Sequence, residues 1–143
     1  MKIGFIGLGL MGHGCIRLLI ARGHEVSGYD ILSEKVDAAA AHGVRPAASP
    51  ADAATNADCL MVSVTSTDAV ASAVFGLGGI IETDGSGKVL IDLSTTEVPA
   101  THDFAERLGA GTEWAGSTRL CLAAPKRRPL AVWRSWLGDR TPI

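Results

Sequence analysis

The sequence predicts an α/β domain: a parallel sheet, doubly wound, with helices on both faces. Short apolar runs alternate with segments of helical period from residue 1 to about 115, and that order requires crossover helices between parallel strands. Cys59–Val64, apolar except at Ser63, and the centre of Lys88–Asp92 are apolar runs of the kind that strands covered on both faces show. Size and composition agree, because 143 residues that are 47% hydrophobic and 20% charged suit one domain with a usable core.

Lys2–Ile6 is the first strand. Met11 to Arg22 carries apolar residues at Met11, Cys15, Leu18, Leu19 and Ala21, a helical period that Gly23 stops. Glu25–Tyr29 is a second strand, closed by Asp30. Ser33 is placed to cap a helix running to about Ala41, with Gly43 after it. Val44-Arg45-Pro46 reads as a short extended link, and Ser49-Pro50 as the N-cap and first turn of a helix to Thr55. The strand Cys59–Val64 follows, then a helix over Asp68–Phe75 that Gly76-Leu77-Gly78-Gly79 ends. A turn at Asp84-Gly85-Ser86-Gly87 leads into Lys88–Asp92. Val98 to Leu108, with Pro99 near its start, is a further helix, and Thr112–Trp114 begins one more strand.

No apolar stretch is long enough to span a bilayer, and the N-terminus reads as a strand rather than a signal peptide. A cytoplasmic chain with no membrane partner is the expectation. Cys15, Cys59 and Cys121 form no C-x-x-C pair, and His13, His24, His42 and His102 have no ligand spacing, so neither a disulfide frame nor a metal site is expected.

The first strand runs directly into Gly7-Leu8-Gly9-Leu10-Met11-Gly12, a G-x-G-x-x-G that opens a helix. Asp30 ends the next strand, 18 residues after the last glycine. That context is the dinucleotide-binding fingerprint. Gly7 allows the tight turn, Gly9 lets a pyrophosphate approach the backbone, and Gly12 lets the helix pack on the sheet. Leu8, Leu10 and Met11 supply the main-chain amides between them, at the positive end of the helix. The alternative is an ordinary glycine-rich βα turn. Asp30 is placed to accept hydrogen bonds from a ribose, and its charge repels a 2′-phosphate, which favours NAD. Lys35 is near enough in sequence to leave NADP open. Asp30 alternatively caps the following turn.

The run Lys2 to Gly12, then Gly23-His24-Glu25-Val26 and Tyr29-Asp30, resembles the β-hydroxyacid dehydrogenase family. That family includes 3-hydroxyisobutyrate dehydrogenase and the cofactor domain of 6-phosphogluconate dehydrogenase. Ile91-Asp92-Leu93-Ser94-Thr95-Thr96, with Pro99 after it, resembles the family's Asp-x-Ser-Thr loop. The resemblance covers residues 1 to about 114. It implies a Rossmann-type cofactor domain of roughly six to eight strands, joined to an all-helical domain, that together oxidise small 3-hydroxy acids or reduce their semialdehydes. It further implies that Val64 and Thr65 lie beside the adenosine, Thr95 touches the nicotinamide side, and Ser94 lies near the substrate carboxylate. Self-association is left open. Ser94-Thr95-Thr96 is also placed to cap the helix that follows. Three departures stand out: Val64-Thr65 replaces a Leu-Pro-type pair, and Cys15 and Leu18 stand where Met and Asn are usual.

After Trp114 the family's Asp-Ala-Pro-Val-Ser-Gly-Gly segment and catalytic lysine do not follow, so no residue here is assigned a catalytic role. By the resemblance the chain as it reads turns over little or nothing and lacks the helical domain. Residues 1–115 hold 7 Lys+Arg against 14 Asp+Glu, whereas residues 116–143 hold 6 Lys+Arg against one Asp. A change of reading frame accounts for this switch. Joining the last base of each codon from Ser117 to Ala123 to the first two of the next permits Asp-Ala-Pro-Val-Ser-Gly-Gly in order. The expectation is a dinucleotide-binding domain over 1–115 and an aberrant, poorly ordered basic tail over 116–143 that needs no nucleic-acid partner. The alternatives are a genuine basic extension and a non-catalytic dinucleotide-binding module.

Overall fold

Among the residues described by the computed structural model, 1–110 and Trp114, five parallel strands form one sheet. They are β1 (Lys2–Ile6), β2 (Glu25–Tyr29), β3 (Arg45–Pro46), β4 (Cys59–Val62) and β5 (Val89–Asp92), in the order β3-β2-β1-β4-β5. Ile3 lies between Val26 of β2 and Cys59 of β4, and Cys59 pairs in turn with Val89 of β5. This is the doubly wound α/β architecture expected of the sequence. The resemblance implied more strands than the five seen in this part of the chain.

Each strand divides its side chains between two cores, as its period of two requires. Ile3, Phe5, Cys59, Met61 and Ile91 face α1 (Leu10–Ala21) and α2 (Ser33–Ala40). Ile6, Leu60, Val62 and Leu90 face the other way, toward α3 (Pro50–Thr55), α4 (Thr67–Phe75) and α5 (Val98–Gly109). Phe5, Leu60 and Val62 are wholly buried. At about 1.5–3 kcal/mol per large apolar side chain, these central strands hold the two layers together.

The helix starts follow local chemistry. Ser49 Oγ accepts the Asp52 N–H at 3.0 Å ahead of α3, with Pro50 at the first helical position, as its sequence predicts. Ser66 Oγ does the same for the Ala69 N–H at 3.1 Å. Ser33, expected as a cap, is instead the first residue of α2; Leu32 is the cap residue and offers no side-chain bond. Asp30 instead holds the cap residue in place, accepting the Leu32 N–H at 3.0 Å.

Three further differences have physical causes. In α1 only part of the expected apolar set faces inward: Cys15 and Leu19 pack against the core beside buried Gly12 and Ile16, whereas Met11 and Leu18 are 73% and 66% exposed. Gly12, the residue without a side chain, sets the inner face, and Met11 and Leu18 share a line about 100° away around the helix. The Val44–Pro46 link contributes a two-residue strand, because Ser27 and Gly28 of β2 offer it a free edge. A short 3₁₀ turn at Ile80–Glu82, which no periodicity announced, buries Ile80 beneath α4. Trp114 lies in a turn, fully buried, its Nε1–H donating to the Thr83 carbonyl at 3.0 Å. Thr112 and the proposed tail over 116–143 lie outside the described residues. No helix among the described residues is long and apolar enough to cross a membrane.

Candidate functional site

The carboxyl ends of β1, β2 and β4 converge on a cleft of about 660 Å³. Of the residues singled out from the sequence, Gly7, Gly9, Asp30, Val64 and Thr65 line it. Leu10, Met11, Gly12, Ser94 and Thr95 lie outside its lining. Leu8 is 4% exposed, with its side chain in the core, so only its main chain is offered at this edge.

The three glycines are held to glycine by different causes. Gly7 has φ +94°, and a Cβ there would overlap the Ser63 carbonyl. Its N–H donates to the Tyr29 carbonyl at 2.9 Å, which ties the loop to the end of β2. At Gly12 a Cβ would overlap the Gly7 carbonyl and come within 3.1 Å of the Phe5 ring, so α1 begins directly against the strand that precedes it. Gly9 differs from both. It is the N-cap of α1, with ordinary extended backbone (φ −67°, ψ −170°), no side-chain cap bond, and nothing within 4 Å of a built Cβ. The chain's own packing gives no reason for glycine at that point.

Asp30 is the most constrained side chain of the site. Its Oδ2 accepts the Leu8 N–H at 2.8 Å and its Oδ1 the Leu32 N–H at 3.0 Å, so one carboxylate joins the glycine loop to the start of α2. The Lys35 ammonium stands 3.7 Å from Oδ2, with the Asp30 side chain 7% and the Lys35 side chain 39% exposed. The turn-capping alternative is therefore realised. Each carboxylate oxygen keeps a second lone pair for a further donor. Ile31 and Leu77, 86% and 103% exposed, stand on the cleft wall as bare apolar groups. Sequence reading gave neither a role; the one available signal was a bulky residue set between glycines in Gly76-Leu77-Gly78.

Ser94 and Thr95 sit at the end of β5. Ser94 is 6% exposed, and its hydroxyl accepts the Val64 N–H at 2.9 Å, which joins the β5 end to a wall of the cleft. Thr95 is exposed. Glu97, not Ser94, is the N-cap of α5, and it offers no side-chain bond. Among the cysteines, burial and then the nearby Asp58 carboxylate push the Cys59 thiol up to about 11, so it stays protonated and unreactive at neutral pH.

Comparison with known proteins adds independent findings. Residues 2–114 match the NAD binding domain of 6-phosphogluconate dehydrogenase. The cytokine-like nuclear factor N-PAC of Homo sapiens is 32% identical over 105 residues, which cover 73% of this chain and 19% of that protein. The 3-sulfolactaldehyde reductase of Escherichia coli is 36% identical over 93 residues, 65% of this chain and 31% of the reductase. The solved 3-hydroxyisobutyrate dehydrogenase of Salmonella typhimurium aligns with a TM-score of 0.70 at 26% identity, covering 77% of this chain and 38% of that one. This chain spans well under half the length of each of these relatives.

Proposed function

We propose, from the premise that the chain belongs to the family of 6-phosphogluconate dehydrogenase NAD-binding domains, that it is the cofactor-binding portion of an NAD-dependent 3-hydroxyacid dehydrogenase. The reaction of the whole protein is hydride transfer between the nicotinamide and a small 3-hydroxy acid or its semialdehyde. Gly9 is the observation that carries the reading. A glycine that packing does not require, at the bare N-terminus of a helix on a cleft wall, is explained by a ligand that must approach the main chain. The ligand suited to that position is a pyrophosphate, drawn by orphan amides and the helix dipole.

The residues present fit the cofactor. Within the loop Gly7 to Gly12, the main-chain N–H groups of Gly9, Leu10, Met11 and Gly12 hold the pyrophosphate, while Gly7 and Leu8, whose N–H groups go to the Tyr29 carbonyl and to Asp30, shape the turn beneath it. Asp30 takes ribose hydroxyls on its remaining lone pairs. Its charge favours NAD, with the Lys35 ammonium 3.7 Å away moderating the preference. Val64 and Thr65 lie along the adenosine, Thr95 beside the nicotinamide, and Ser94 near the substrate carboxylate. Having accepted the Val64 N–H, the Ser94 hydroxyl retains its own proton to donate. When bound, the nicotinamide supplies the hydride chemistry, and the protein supplies orientation.

Fluorescence titration of the purified chain with NADH and NADPH tests the reading. Saturable NADH binding, tighter than NADPH, is the expected result; no binding of either refutes it. A non-catalytic role is the second reading, favoured by one observation: N-PAC, similar over 73% of this chain, carries a name that is not an enzyme's. It predicts the same binding with no turnover in any longer form of the protein.

We further infer that the functional domain ends near residue 115 and that residues 116–143 are read one base out of frame. The charge reversal and the orderly recovery of Asp-Ala-Pro-Val-Ser-Gly-Gly support this. Sequencing the coding DNA decides it, since an uninterrupted family segment must continue in the shifted frame. Activity on a 3-hydroxy acid that appears only after the frame is restored supports the enzyme reading over the binding module.

A further inference from the structure

Asp92 is a buried carboxylate, 2% exposed, that no part of the function proposed above uses. It is the last residue of β5, at the same edge of the sheet as the cleft. Its Oδ1 accepts the Ser94 N–H at 2.8 Å, and its Oδ2 lies 3.4 Å from the Thr96 hydroxyl. The grip falls on both neighbours of Thr95 and leaves Thr95 itself exposed between them. The links continue outward. Thr96 Oγ1 meets Thr101 Oγ1 at 3.0 Å, and the Glu97 N–H donates to Thr67 Oγ1 at 3.2 Å, at the start of α4. The Ser94 hydroxyl reaches across to the Val64 N–H on the cleft wall.

A carboxylate taken out of water is costly unless its hydrogen bonds are met. A short apolar side chain would close the core here at less cost. The buried charge is explained by what it holds: without it, residues 93–97 lose the acceptor that fixes their turn, and the distance from Thr95 to the cleft is no longer set.

We propose that Asp92 is a positioning residue that locks the loop 93–97 to the cleft wall, so that Thr95 is presented to the nicotinamide end of the cofactor. This rests on the cofactor reading given above and deepens it. Asp92 touches no part of the ligand; it acts through Ser94 and Thr96. The adenosine end, held by Asp30 and the glycine loop, stays independent of it.

The test compares dissociation constants for NADH and for AMP in the wild-type chain, Asp92→Ala and Asp92→Asn. Asp92→Ala weakens NADH on the order of tenfold, because binding must then order the freed loop, and leaves AMP unchanged. Asp92→Asn restores NADH binding, because its carbonyl accepts the Ser94 N–H and its amide donates to the Thr96 hydroxyl. Equal losses for both nucleotides, or no loss in Asp92→Ala, overturn the proposal, as does failure of Asp92→Asn to rescue. Should Asp92→Ala not fold, Thr96→Val takes its place: a selective NADH loss of about threefold supports the proposal, and an unselective or absent loss overturns it. A wild-type chain that binds neither nucleotide shows the cofactor reading itself to be wrong, and the positioning role falls with it.

Discussion

Replacing Gly9 and Gly12 separately by alanine distinguishes a glycine kept for a ligand from one kept for the fold. At Gly9 the new methyl meets nothing within 4 Å and the backbone is already extended. Alanine is a poorer N-cap than glycine, by roughly 0.5–1 kcal/mol. A smaller loss of chain entropy on folding offsets about 0.4–1 kcal/mol of that. The net change in stability is therefore within about 0.5 kcal/mol, or roughly 2 °C in Tm. Binding responds otherwise. The methyl projects where the pyrophosphate must lie against the amides, and losing one charge-assisted hydrogen bond costs about 2–3 kcal/mol, a 30- to 150-fold weaker NADH complex. At Gly12 the methyl overlaps the Gly7 carbonyl and crowds the Phe5 ring. Overpacking of this kind costs about 1–3 kcal/mol, a fall in Tm on the order of 5–10 °C. Thermal unfolding by circular dichroism and NADH titration on the same samples give both numbers. A Gly9→Ala chain that keeps wild-type affinity refutes the reasoning, because the open space beside Gly9 would then belong to no ligand.

Further expectations follow from single sites. Asp30→Ala removes the acceptor for two main-chain N–H groups and frees Lys35, so NADH affinity falls and the NADH/NADPH preference drops at least about tenfold; an unchanged ratio in parallel titrations contradicts the assigned role. Cys59 binds its proton more tightly folded than unfolded, so its contribution is complete below pH 9 and is lost as pH rises toward about 11. Denaturant unfolding at pH 8 and pH 10.5 should show the wild type losing on the order of 1–2 kcal/mol more than Cys59→Ala over that interval. Trp114→Ala empties a fully buried site and orphans the Thr83 carbonyl, which costs about 3–5 kcal/mol in chemical denaturation. Gly14→Ala, in an exposed stretch of α1 with open space around it, should raise stability by about 0.5–1 kcal/mol in the same assay.

What the sequence discloses and what it conceals divide along physical lines. Strands announced themselves because burial on both faces demands long apolar runs, and Cys59–Val62 is buried at every position. Ser49-Pro50 was legible because capping is a local bargain between adjacent residues. The phase of α1 was not legible: Met11 and Leu18 are as apolar as Ile16, and only the approach of Gly12 to the strand shows which line turns inward. Asp30 was found from spacing, but its bond to the Leu8 N–H joins residues 22 apart and exists only once β1 and β2 are side by side. The Asp92 links span only two and four residues, but the burial that gives them weight comes from elements distant in sequence. A buried aspartate at a strand end looks like a solvated one until the neighbouring loop is placed.

The position of the cleft follows from topology more than from the glycine motif. In the order β3-β2-β1-β4-β5, the chain leaves β1 for α1 on one face and leaves β4 for α4 on the other. Adjacent parallel strands whose exits diverge open a crevice at their carboxyl ends, and β1 and β4 are such a pair. Gly7 and Ser63 form its floor, close enough that a single methyl on Gly7 would strike the Ser63 carbonyl. Because β2 lies directly beside β1, its terminal Asp30 falls within reach of the loop without any long-range fold of its own. The glycines therefore do not create the crevice. They keep it clear, and that is why Gly9, the glycine of the motif with empty space around it, is the residue whose substitution says most about what the crevice holds.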